Sequence, residues 1–287
     1  MQMDDKCWTS PNNSISKEIL KFGSGLARPT DGSICIVSIS HIGGATLNKD
    51  SLGYGLGENV KIQIGEGDTI LGELIDECLE SMKLDECCEA TFHILLESSK
   101  DSCDQFEKYK FQLELHKFEN QTNSWEMTTE EKLAVAMHHR KKGSELFKAG
   151  NIEFAFKRYR KALKYVITID SDDEMSEDVR TEYQNLKSTL YVNISLCQSK
   201  YESNDFVIAN CTSALVVDKN NVKALYHRAQ AQLNTRDLDR ALADIKAGLE
   251  LEPNNQVFLK LQKIVNSKLK IHTDQMKKAM TKMFLQN

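Results

Sequence analysis

The strongest constraint on this chain of 287 residues is a repeat. Ser188–Asn221 and Val222–Asn255 align without a gap, each thirty-four residues long, and DKNN (218–221) falls on EPNN (252–255). In the later copy the small residues are Ala229, Ala241 and Gly248, and Pro253 ends the unit. A further copy starts near Ala136, with Gly143, Leu146, Gly150, Ala155, Tyr159 and Ala162 at corresponding places. From Ser124 onward apolar residues recur at spacings of three and four, which predicts helix after helix. A unit this short cannot bury its apolar face alone. It must stack on its neighbours, and three copies are the usual minimum. The small residues let two antiparallel helices approach closely, and the larger ones pack on the next pair.

This period and pattern are those of the tetratricopeptide repeat. The copies span 136–169, 188–221 and 222–255. The first two are separated by about eighteen residues containing IDSDDEMSEDVRTEYQ, read as a lengthened second helix with a solvated acidic loop. QVFLKLQKIVNSKLKIHTDQMKKAMTKMF, within 256–287, is a basic amphipathic helix expected to cap the solenoid. Its charge and methionines suit a calmodulin target as an alternative.

The first half has another period. SICIVSI (33–39), VKIQI (60–64), EATFHILL (89–96) and YKFQLEL (109–115) read as strands separated by Gly, Asn, Asp and Ser. One helix, Ile70–Met82, lies between the second and third. The fold class is therefore α+β for residues 1–119, a small antiparallel sheet with one short helix. A linker and the start of the first repeat helix (120–135) lead into the all-α solenoid.

The net charge of −5, with no long basic run, argues against nucleic acid as a general partner. No run of eighteen apolar residues exists, so no membrane-spanning helix is expected. MQMDDKCWTSPNNSISKE is acidic and polar and lacks the order of a signal peptide. The eight cysteines form no CxxC and no zinc spacing, so the expectation is reduced thiols in the cytoplasm or nucleus, with no metal and no cofactor. His138-His139 reads as a solvated helix face. GEGDTILG (65–72) has one glycine too few for a phosphate-binding loop. The acidic cluster at 170–178 lacks the central glycine of a calcium loop.

The join between the halves carries a resemblance. SWEMTTEEKL (124–133) is similar to the linker of immunophilin co-chaperones, which carry an FKBP-type domain before three tetratricopeptide repeats. ILKFGSGLARPTDGSICIVSI (19–39) resembles the opening strands of that domain, and IQIGEGDTILG (62–72) its fourth strand and the turn into its helix. MTKMF (280–284) resembles the end of the family's last helix.

The resemblance implies a peptidyl-prolyl isomerase fold whose groove is an aromatic cup. Such a cup holds an X-Pro bond away from water, against an uncatalysed barrier of about 18–20 kcal/mol. This chain departs from that pattern. Ile39, within VSISHI, stands where the family has a tyrosine. No Phe-Asp pair follows between His41 and Asn59, and the floor tryptophan is replaced by Glu73 or Leu74. Ile70 and Phe111 are retained, and the long family loop is reduced to ESSKDSCDQFEK (97–108). Ile39, Ile70 and Phe111 would then be a vestigial isomerase pocket with no catalytic residues. The alternative is an active or narrowly specific isomerase.

The resemblance also implies a groove that grips the acidic C-terminal tail of heat-shock protein 90 or a similar chaperone. Carried over position by position, its carboxylate clamp is Arg140, Ser144, Asn193, Lys223 and His227. Arg140 keeps the charge of a family lysine, and Ser144 stands where Asn or Thr is usual. Asn193 and Lys223 are retained, and His227 replaces an arginine. Residues four apart share a helix face, so Lys223 and His227 can reach one ligand, whereas Arg228 is turned about 100° away. Histidine offers a carboxylate one donor and is mostly neutral above about pH 6.5, where arginine offers a charged fork. The expected protein is a non-catalytic adaptor with a weakened clamp and a client such as a signalling kinase.

Overall fold

The computed structural model describes residues 6–48, 51–95, 106–170 and 175–285. The chain divides into two compact units, Met1–Asn123 and Ser124–Asn287. No helix among the described residues is long and apolar enough to cross a membrane.

The first unit is built on a six-stranded sheet. Its elements are β1 (Cys7–Thr9), β2 (Ile15–Lys21), β3 (Ile34–Gly44), β4 (Gly57–Gln63), α1 (Ile70–Glu80), β5 (Cys87–Leu95) and β6 (Phe106–Glu119). The order across the sheet is β1-β2-β5-β6-β3-β4, and every neighbouring pair is antiparallel. Alternation explains β6: Tyr109, Phe111, Leu113 and Leu115 are buried, while Lys110 and Gln112 face out. Ile75, Cys78 and Leu79 of α1 complete this core with Ile15, Val37, Ile39 and Phe92. The Thr69 hydroxyl caps α1 by accepting from the Gly72 N–H at 2.9 Å. Two strands are additional to the four that alternation predicts. In β2 the inward positions are Ile15 and Lys17, and a lysine on the core side hides the pattern. Lys17 is only 3% exposed and is held by Glu86 at 2.7 Å and the Ser81 hydroxyl at 2.8 Å.

The second unit is helical throughout: α2 (Thr129–Lys148), α3 (Ile152–Ile167), α4 (Glu177–Lys200), α5 (Asn204–Val217), α6 (Val222–Asn234), α7 (Leu238–Leu251) and α8 (Gln256–Leu285). Thr128 and Glu131 form a capping box that starts α2. The repeated Asn-Asn has a physical cause: Asn221 accepts from the Ala224 N–H at the start of α6, and Asn255 from the Val257 N–H at the start of α8. Corresponding small residues are buried in each helical pair. A Cβ on Gly143 would meet the Tyr159 ring at 2.8 Å, so α2 and α3 pack as closely as they do only because that position is small. The turns inside the three pairs adopt positive φ at Gly150, Glu202 and Arg236, the same repeat position each time.

The acidic stretch before the second repeat lies elsewhere than predicted. The second helix of the first repeat, α3, ends at Ile167, and the extra residues lengthen α4, which starts at Glu177. Ser176 caps that start, and Tyr183 and Leu186 bury themselves against the first repeat. Residues 171–174, like most of the shortened 97–108 loop and Cys103, lie outside the described residues. The first turns of α8 cover the last pair through Phe258, Leu261 and Val265, whereas Ile271, Met276 and Met280 are half exposed.

Candidate functional site

In the sheet unit, the three pocket positions differ in exposure. Ile39 on β3 and Phe111 on β6 are fully buried in the core, one register step apart, since His41 pairs with Phe111 and Ile39 with Leu113. Ile70 begins α1 and is 50% exposed. Two of the three positions are thus buried and the third is half exposed. Phe111 packs on Phe92 (5.4 Å between centroids) and His41 (5.2 Å). Glu73 sits in the first turn of α1, where the helix dipole favours an acid, but it supplies no aromatic floor.

A residue with no sequence signal organises this region. The Tyr54 hydroxyl donates to Asp76 Oδ1 at 2.7 Å and accepts from the Gly67 N–H at 2.7 Å. Asp76 also accepts from the Gly65 N–H at 2.8 Å. Burial, with the Asp76 charge beside it, pushes the Tyr54 hydroxyl well above its ordinary pKa, so it stays protonated. The pair fastens the segment before α1 to the helix.

The repeat unit presents its candidate residues differently. Packing of α2 on α4 and of α4 on α6 sets the first helices of the three pairs side by side. Arg140 and Ser144 lie on α2, Asn193 on α4, and Lys223 and His227 on α6. Lys223 is exposed, and no carboxylate pairs with it among the described residues. Asn193 is half-buried, with no hydrogen bond to its amide among the described residues. Arg140 lines a cavity of about 480 Å³, and its buried Nε has no partner among the described residues. These three groups are available to a ligand.

The other two are not equivalent to them. The Ser144 hydroxyl donates to the Arg140 carbonyl at 3.0 Å and accepts from the Tyr159 hydroxyl at 3.2 Å, so its donor is used within the fold. His227 lines a separate cavity of about 590 Å³ with Tyr226, Gln230, Asn234, Asn204 and Glu202. Burial first, and the neighbouring Lys223 charge second, hold its pKa below the ordinary value. His227 is a neutral imidazole near pH 7. Arg228 cannot replace it: its guanidinium is locked on Asp244 by bonds of 2.8 and 2.7 Å and donates to Thr212 at 3.1 Å.

His139 departs from the solvated pair predicted for it. His138 is exposed, but His139 is 4% exposed and its Nδ1 accepts from the Arg158 guanidinium at 3.1 Å. Adjacent helical residues point about 100° apart, so one faces water and the other faces α3.

No protein-family model matches the chain. Curated proteins do. Mouse FK506-binding protein-like is 31% identical over 257 residues, covering 87% of this chain and 65% of that protein. Drosophila melanogaster FK506-binding protein 59 is 29% identical over 285 residues, covering 96% of this chain and 61% of its own length. The chain is related to the FK506-binding proteins. Human peptidyl-prolyl cis-trans isomerase FKBP4 matches at 27% identity over 251 residues, covering 85% of this chain and 52% of that protein. The chain thus spans between about half and two thirds of the length of these relatives. Among solved structures, a crystal structure of residues 1–211 of CG17282 has a TM-score of 0.53 at 16% identity, covering 69% of this chain and 95% of that one. The FKBP-like sheet unit followed by a tetratricopeptide solenoid is the architecture of this relationship.

Proposed function

We infer that the protein is a non-catalytic adaptor of the co-chaperone kind. Its repeat groove receives a peptide tail ending in a carboxylate, of the heat-shock protein 90 type. The observation that carries this reading is Lys223: among the described residues, an exposed cation with no carboxylate paired to it, on the helix next to the unengaged amide of Asn193. A cation that stabilised the fold would be paired, as Lys17 is by Glu86. The tail is held by Lys223 and Asn193 with Arg140 as a further cation, and His227 contributes a neutral hydrogen bond instead of a charge. The clamp is weaker than one with arginine there, because a charge-assisted fork is lost.

The sheet unit serves as a docking surface for a client such as a signalling kinase, in the cytoplasm or nucleus, and does not catalyse prolyl isomerisation. The closed packing of Ile39 and Phe111 supports this. The deciding titration uses a fluorescent acidic peptide with a free C-terminal carboxylate, bound to the wild-type chain and to Lys223→Ala. Losing a charged hydrogen bond weakens binding about tenfold. Equal binding by both proteins overturns the groove reading. The rival reading, an active isomerase, draws on the name of the FKBP4 relatives. It requires a proline-peptide isomerisation rate above the uncatalysed one, and the expected rate is the uncatalysed one.

A further inference from the structure

The lengthened N-terminal part of α4 falls before the second repeat proper and builds something the repeats alone do not. Asp178, Glu182, Asn185 and Leu186 lie along one face of it, at helical spacing, and close a cavity over Arg140 and Met137 of α2. Met137 and Leu186 make an apolar wall. Arg140 brings a guanidinium whose buried Nε is unpartnered among the described residues. Asp178 and Glu182 bring two carboxylates, both on exposed residues, and neither makes an ion pair among the described residues. The cavity therefore holds one positive and two negative charges, none neutralised by another.

Folding does not account for this arrangement. Asp178 stands in the first turn of α4 and suits the helix dipole there, but Glu182 lies beyond that turn. Like charges four residues apart on one face disfavour a helix. A tail consisting only of acids would bring its own carboxylates against Asp178 and Glu182 while seeking Arg140. A peptide with an ammonium or guanidinium near an acceptor group satisfies all three charges.

We propose that the Arg140 cavity is a specificity site for a basic side chain, so that the groove prefers carboxylate-terminated peptides carrying a lysine or arginine upstream of the terminus over wholly acidic tails. Arg140 donates to a carbonyl or carboxylate of the ligand, and Glu182 with Asp178 receives the cation. This rests on the groove reading above and names the kind of peptide it takes.

The test compares fluorescent peptides ending in a free carboxylate. One has only acidic residues upstream; the others carry a single lysine at each upstream position in turn. For the wild-type chain at least one lysine peptide binds about three- to fivefold more tightly than the acidic one, as expected for an exposed ion pair. Glu182→Gln brings that ratio toward one, and Glu182→Lys, at an exposed helical position, inverts it. A wild-type preference for the acidic peptide, or a ratio that Glu182→Gln leaves unmoved, overturns the specificity site. Lys223→Ala acts on the shared terminus and weakens every peptide by the same factor. Insensitivity to that change overturns the groove reading whatever the ratio. No binding of any peptide overturns both.

Discussion

The two units use charge in opposite ways. In the sheet unit, buried Lys17 is met by Glu86, whose second oxygen accepts from the Lys83 N–H at 3.0 Å. The charge is satisfied and serves packing. In the repeat groove, among the described residues, Lys223 has no carboxylate and the Arg140 Nε no acceptor. A paired buried charge stabilises a fold when kept intact, whereas an unpaired cation on a groove contributes nothing until something binds. On the proposed reading, partnering more than charge itself separates structural from ligand-binding cations.

The largest expected effect tests the structural side. Glu86→Ala leaves the Lys17 ammonium buried without its counter-charge and destabilises the sheet unit by about 3–5 kcal/mol in urea unfolding. Phe111→Ala has a similar effect, about 3–5 kcal/mol, because the ring is fully buried in the core. Both changes leave tail binding by the repeat unit intact. A stable Glu86→Ala protein would break the contrast between paired and unpaired cations. Lys223→Ala inverts the pattern: about tenfold weaker tail binding with a stability change within about 0.5 kcal/mol.

What was legible in the sequence follows the same division. The repeat was plain because its small residues and cap asparagines recur for steric and hydrogen-bonding reasons that any stacked helical pair must meet. Gly143 against Tyr159 and Asn221 capping α6 are examples. The strand β2 was hidden because Lys17 occupies an inward position, and only the distant Glu86 makes that tolerable. The start of α4 was hidden because Val179, Tyr183 and Leu186 are sparse among acids, so the helical period is faint. For the site, the family resemblance offered Arg140, Ser144, Asn193, Lys223 and His227 as clamp candidates. It could not show that Ser144 spends its donor on the Arg140 carbonyl, nor that Ile39 and Phe111 close on the core. Those facts depend on neighbours far along the chain.

A smaller effect tests the repeats themselves. Arg236 adopts φ 65 at the turn position where the first repeat has Gly150 at φ 84. A non-glycine residue in this region costs about 1–2 kcal/mol, part of which glycine returns through unfolded-chain entropy. Arg236→Gly is therefore expected to stabilise the repeat unit by about 0.5–1 kcal/mol in thermal or urea unfolding. Unchanged or lower stability would mean the turn is held by contacts that outweigh the backbone preference.

The smallest effect concerns His227, the position where an emptied site and a retained one are hardest to tell apart. If His227 bound the tail as a cation, affinity would rise as the pH falls from about 7.5 to 6. Burial and the Lys223 charge lower its pKa, and Glu202 is the one carboxylate lining its cavity among the described residues. It is therefore less charged than an ordinary histidine throughout that window, so any rise in tail affinity toward pH 6 is smaller than an unshifted imidazole would give. Stability carries the matching sign. A histidine with a lowered folded pKa binds more protons when unfolded, so stability falls as the pH drops through the ordinary value near 6.5. His227→Gln keeps a neutral donor and removes the titration. It should leave the tail affinity at pH 7.5 within about twofold and flatten part of the acid loss of stability below pH 6.5. A wild-type affinity that climbs toward pH 6 and is lost in His227→Gln would make His227 a true cationic member of the clamp, alongside Lys223.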